Sequence, residues 1–102
     1  MTKPAARLGD RCEGTCIHPS HIPPIFTQGT ITEGSPNSSV NGQAQSRVGD
    51  TGITDCGHSF FLKEGSASSS LNGKEPCRVG DPTDGNLQGV IISGSPDTTI
   101  AD

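Results

Sequence analysis

The chain of 102 residues has no tryptophan and no tyrosine, and only three phenylalanines. Hydrophobic residues make up 28% of it, and Leu, Ile, Val and Phe together number 19. A share of those four residues below about 20% is the composition of a chain that cannot bury enough apolar surface to offset its ordering entropy. Hydrophobicity alone therefore does not account for a fold. Basic residues are few as well: seven Lys and Arg stand against eleven Asp and Glu, for a net charge of −4. Spread along the chain, they do not form the clusters that neutralise phosphates, which argues against a nucleic-acid groove or an anionic membrane surface. No apolar run approaches the ~20 residues needed to cross a bilayer. The start, Met1-Thr2-Lys3-Pro4, has no apolar signal-peptide core. The reading is a protein made in the cytoplasm without a signal peptide, whose export requires a machine rather than a cleaved leader.

What the chain does have is 14 Gly, 8 Pro, four Cys and three His. Small domains short of apolar burial commonly add cross-links or a metal. It also has internal repeats. Arg-aliphatic-Gly-Asp occurs at Arg7-Leu8-Gly9-Asp10, Arg47-Val48-Gly49-Asp50 and Arg78-Val79-Gly80-Asp81. A second block recurs in step with it, beginning Gly34-Ser35-Pro36, Gly65-Ser66-Ala67 and Gly94-Ser95-Pro96. The first copy is longer than its siblings because it carries extra residues around Ile17 to Ile25.

Helical periodicity is absent, and each unit reads as a short β-meander. Thr30 to Glu33, Phe60 to Glu64 and Val90 to Ser93 are β-rich runs ending at a Gly-Ser turn. The next strand lies around Val40, Leu71 or Ile100, and in the first two units Asn41-Gly42 and Asn72-Gly73 supply a two-residue hairpin signal. The chain starts with the last strand of a unit, Ala5 to Asp10, and ends at Ile100 before making one. Pairing of the two ends completes three units, closes a pseudo-threefold ring and hides sheet edges. The three Arg-x-Gly-Asp copies fall at strand ends and read as turns, where Gly permits the bend and Asp caps it.

The loops after Gly-Asp hold the chemistry. Cys12, Cys16, His18 and His21 follow the first, and Cys56 and His58 the second. Cys16-Ile17-His18 and Cys56-Gly57-His58 share a Cys-x-His pattern, which in extended backbone puts both side chains on one face. Equivalent loops converge on a threefold axis, where they can complete a tetrahedral Cys/His site for a metal such as zinc. The third loop, Pro82 to Asn86, offers only Asp84. Cys12 and Cys77 read as buried small residues, with a Cys12–Cys77 bridge as the alternative.

Lys3-Pro4-Ala5-Ala6-Arg7-Leu8-Gly9-Asp10 contains a Pro-Ala-Ala-Arg signature. Together with the Gly-Ser-Pro and Asn-Gly blocks it resembles the PAAR-repeat family over essentially the whole chain, 1–102, with no extension domain. The second and third copies depart from the signature, as Gln45-Ser46-Arg47 and Pro76-Cys77-Arg78. The resemblance implies an all-β, small pseudo-threefold cone of three short β-meander repeats, zinc-stabilised near the apex. Such cones cap and sharpen the trimeric β-helical spike of type VI secretion systems or the central spike of phage tails, one cone per trimer. They touch a membrane only transiently during piercing, and they act at the tip of the apparatus, outside the cell. One structural Zn²⁺ is typical of the family, often on three His and one Cys. Carried over, that set is His18, His21, Cys56 and His58, with Cys16 as the alternative ligand. No catalysis is implied. The competing classes are a stand-alone small zinc-binding module and a metallohydrolase; the second would need an open coordination position and a general base, and no His-Glu-x-x-His is present.

Overall fold

A computed structural model describes residues 2–67 and 69–101; Ser68, inside the second Gly-Ser block, lies outside them. Ten strands run in chain order: β1 Thr2–Pro4, β2 Arg11–Cys16, β3 Ile25–Ile31, β4 Ser39–Val40, β5 Gln43–Ala44, β6 Thr51–Thr54, β7 Ser59–Leu62, β8 Thr83–Gly85, β9 Leu87–Ile91 and β10 Thr99–Ala101. The fold is all-β, with no helix among the described residues.

Each Arg-x-Gly-Asp is a tight turn. The Asp10, Asp50 and Asp81 amides each donate to the carbonyl of the Arg three residues back, at 3.0 Å in all three. Gly9, Gly49 and Gly80 take φ of 93°, 91° and 93°, the third-position conformation that a type II turn demands. The Asp also receives the Arg backbone N–H and two guanidinium hydrogen bonds; for Arg47 and Asp50 these are 2.7, 3.1 and 2.9 Å. The Asn-Gly pairs form the hairpins read from the sequence. Asn41 and Asn72 both take φ 55°, followed by Gly42 at 79° and Gly73 at 78°, the double positive φ of a type I′ turn.

The sheets are joined by a triangle of backbone hydrogen bonds. Ala6 N–H donates to the Cys77 carbonyl, Cys77 N–H to the Ser46 carbonyl and Ser46 N–H to the Ala6 carbonyl, each at 3.0 Å. Those three residues occupy the same place in the three units and are fully buried. A cyclic set of equal hydrogen bonds between equivalent residues defines the pseudo-threefold axis.

On one side of this triangle lie the short hairpins. These are β4 with β5, the Leu71–Lys74 bridge, and β1 with β10. Chain ends pair as the repeat phase predicts, through Thr2–Pro4 and through Ala5, whose N–H donates to the Thr98 carbonyl at 2.9 Å, rather than along all of Ala5 to Asp10; Lys3 opposes Ile100 as Gln43 opposes Val40. On the other side, three longer hairpins make a six-stranded antiparallel sheet in the order β8-β7-β6-β3-β2-β9. Pro82 bridges Val90, and Thr83 Oγ1 donates to the Leu87 carbonyl at 2.7 Å and accepts the Gly89 N–H at 3.0 Å. These contacts close β8 onto β9, so the sheet is nearly a barrel. The body is elongated, 38 × 25 × 24 Å, as a small cone requires.

Alternation fills the interior. In β7, Phe60 and Leu62 point inward while Ser59 and Phe61 face out. They join Ile31, Leu87, Ile91, Cys12, Cys77 and Ala6 in one core, while Ala5, Val40 and Ile100 form a smaller cluster under the short hairpins. The aromatic ring of Phe60 fits because Gly29 and Gly52 beside it have no Cβ.

The segments after Gly-Asp are a correction to the loop reading. Arg11–Cys16, Thr51–Thr54 and Thr83–Gly85 are strands, and Gly-Thr-rich sequence hid them. Strand β2 pairs with β3 and β9 along nearly its whole length, so backbone pairing and burial of Cys12 and Cys16 override weak local propensity.

Candidate metal centre

Each long hairpin runs away from its Gly-Asp turn, so its connection lies at the end farthest from the short hairpins. The first connection, residues 17–24, is the long one. The His21 amide donates to the His18 carbonyl at 2.9 Å, which bends the segment back, and Ile17 N–H donates to the Asn86 carbonyl of the third unit at 2.8 Å. The second connection, residues 55–58, is a tight turn with Gly57 at φ 92°. Cys56 and His58 therefore share a side through a turn rather than through the extended strand that the spacing suggests.

Cys16, His21, Cys56 and His58 converge here, their ligand atoms all within 4.8 Å of one another. The Cys16 and Cys56 Sγ atoms are 3.8 Å apart, and each lies 3.5 Å from His58 Nδ1. His21 contributes the fourth donor. Its Nε2 is sealed from solvent and has no hydrogen-bond partner, and such a nitrogen is costly to bury unless something binds it. Two thiols, an imidazole Nδ1 and a second imidazole form a soft donor set suited to a four-coordinate ion.

Electrostatics favour the neutral forms of Cys16 and His58. Burial pushes the Cys16 thiol above its ordinary range, opposed by the His18 backbone and reinforced by Cys56. Burial lowers His58, with His18 and His21 adding to the effect. A cation reverses the balance for the thiols, because it stabilises thiolate.

His18 is placed differently from the other candidates. Its ring stacks on His58 at 3.7 Å and 4°, and its Nδ1 is taken by the Ser20 hydroxyl at 2.8 Å and the Ser20 N–H at 3.1 Å. Cys16, the alternative in the sequence reading, stands in the cluster, and His18 walls it. Asp84 is held by the Gly85 N–H and Gln88 Nε2 and is outside the cluster. Cys12 and Cys77 are free, buried thiols of the core.

Two residues that motif reasoning passed over support the donors. Thr54 Oγ1 accepts the His58 N–H at 2.8 Å and lies 3.2 Å from Cys56 Sγ, so its proton is free to point at the sulfur. Ser20 Oγ lies 3.4 Å from His58 Nε2 and so holds the ring with Nδ1 facing the sulfurs. Only their positions two residues from Cys56 and His18 could have signalled them.

No protein-family model matches the chain, and no curated protein matches it. No helix among the described residues is long and apolar enough to cross a membrane.

Proposed function

We propose that this protein is a PAAR-repeat cone that caps and sharpens the trimeric β-helical spike of a contractile injection machine, a type VI secretion system or a phage tail, with one structural zinc at its apex. The observation that carries the reading is the hydrogen-bonded triangle of Ala6, Ser46 and Cys77, through which one chain builds a threefold axis. A trimer ends in three equal strand edges, and a single chain with three equivalent hairpins matches them one to one. The short hairpins at β4–β5, Leu71–Lys74 and β1–β10 are the face for that contact, backed by Ala5, Val40 and Ile100.

The site dimensions support zinc. Bonds of about 2.3 Å to sulfur and about 2.0–2.1 Å to nitrogen, at tetrahedral angles, set S···S near about 3.8 Å and S···N near about 3.6 Å. The cluster has 3.8 Å and 3.5 Å. Bound zinc would supply a rigid cross-link between the first two hairpin connections. Cys16, His21, Cys56 and His58 together fill a tetrahedral shell, which supports a structural rather than a catalytic ion.

Native mass spectrometry of the protein co-expressed with a cognate spike tests the reading. One chain and one zinc per spike trimer is the expected mass. Three chains per trimer, or no complex at any concentration, overturns the capping role.

A further inference from the structure

We infer that Cys16 and Cys56 are an oxidation site at which a disulfide can replace the metal as the cross-link between the first two units. The inference rests on the Cys/His cluster and not on the capping role. The two Sγ atoms stand 3.8 Å apart with no residue between them. They come from different units, one at the end of β2 and the other in the turn after β6. A disulfide needs the sulfurs at about 2.05 Å, and the short approach falls to Cys56, which sits on a turn beside Gly57 and is partly open to solvent, whereas Cys16 is buried.

The order of events follows from that difference. With a hydroperoxide as oxidant, the Cys56 sulfur attacks the peroxide oxygen. The O–O bond breaks, sulfur is oxidised to the sulfenic acid, and the other oxygen leaves as hydroxide or alkoxide and takes up the thiol proton. Cys16 sulfur then attacks Cys56 sulfur: the S–S bond forms, the S–O bond breaks, and hydroxide leaves with the Cys16 proton as water. Both sulfur donors are consumed, so an ion held between them departs.

The other two thiols are poor competitors. Cys12 and Cys77 are fully buried in the core, and Cys77 Sγ is engaged by the Glu64 carbonyl at 3.3 Å. Burial pushes the Cys12 thiol up to about 12 and the Cys77 thiol higher still, so neither is thiolate at neutral pH. The same two connections are thus clamped by metal under reducing conditions and by a disulfide under oxidising ones.

Treating the purified full-length chain with hydrogen peroxide, with a chromogenic chelator present and peptide mapping afterwards, tests this. Expected are a single Cys16–Cys56 disulfide, metal release in step with it where metal is bound, and reversal by dithiothreitol with added zinc. The oxidised chain should melt above the reduced, chelator-stripped chain, and Cys77→Ser should give the same cross-link. A protein that purifies without metal should still form the disulfide, so failure of the zinc reading and failure of this one are told apart. A disulfide involving Cys12 or Cys77, metal release without any disulfide, or sulfinic acid at Cys56 with Cys16 still free would overturn the inference.

Discussion

The Thr54 hydroxyl accepts the His58 backbone N–H at 2.8 Å and lies 3.2 Å from Cys56 Sγ, tying both donors of the second unit to one buried side chain. A valine of the same shape keeps the packing and loses both contacts. With zinc as the proposed ion, Thr54→Val should weaken its binding by roughly 10–100-fold, the usual effect of losing an outer partner of a ligand. Chelator competition measures it, and unchanged affinity would show that Thr54 only packs.

His18 and His21 separate a stacking role from a ligand role. His21→Ala should lose stoichiometric zinc and melt well below the parent, since binding to a structural site is folding free energy, on the order of 10 kcal/mol in zinc peptides. His18→Ala should keep one zinc per chain and lose only the ring contact with His58. Metal analysis of the two variants decides it; the reverse pattern would exchange their roles. Chelation of the parent should lower its melting temperature in the same way as His21→Ala.

Buried and exposed ion pairs in this small protein should differ sharply. Arg47 and Asp50 have side chains 10% and 1% exposed, and Asp50→Ala leaves the Arg47 N–H without its acceptor and the guanidinium with the neutral Gly34 carbonyl and Asn72 Oδ1 at 3.4 Å in place of a carboxylate. That should cost about 3–5 kcal/mol. Arg11 and Asp55 are 36% and 54% exposed, and Asp55→Ala should cost less than about 1 kcal/mol. Urea melts of both variants give the comparison, and equal losses would contradict it.

Acid should destabilise the metal-free protein through His58. Its folded pKa lies below the ordinary value because of burial first, then His18 and His21. Between that lowered value and about 6.5 the unfolded chain binds more protons than the folded one, so stability falls as pH drops through the window. Protons also compete with the ion for His58 and the thiols, so zinc should be lost in the same direction. Melting temperature against pH for the stripped parent and for His58→Gln checks the sign, the variant being flatter below pH about 6.5.

Much of this was legible because it is local. A type II turn needs positive φ at its third residue, so Arg-x-Gly-Asp announces a turn wherever it occurs, and Asn41-Gly42 announces a hairpin for the same reason. Strands β2, β6 and β8 were not legible. Gly14 and Gly52 sit within β2 and β6, Gly85 ends β8 at φ 85°, and the extended form of β2 comes from neighbours distant in the chain, as Gly14 opposite Gly89 shows. A Cβ at Gly89 would collide with the Glu13 carbonyl and Gly14 Cα, a constraint that no local pattern carries.

The repeat order by itself determined three units, closure of the chain ends and the collection of Cys16, Cys56 and the three His at one end, because covalent spacing dictates which turns and hairpins can form. Which donors meet was decided only in three dimensions. The sequence reading places His18 in the set with Cys16 as its alternative, yet the turn at residues 18–21 carries His21 inward and leaves His18 stacked against His58 and bonded to Ser20, with Cys16 in the cluster. Sequence separation fixes how far a side chain can reach, while the packing of hairpins from different units sets the direction in which it points.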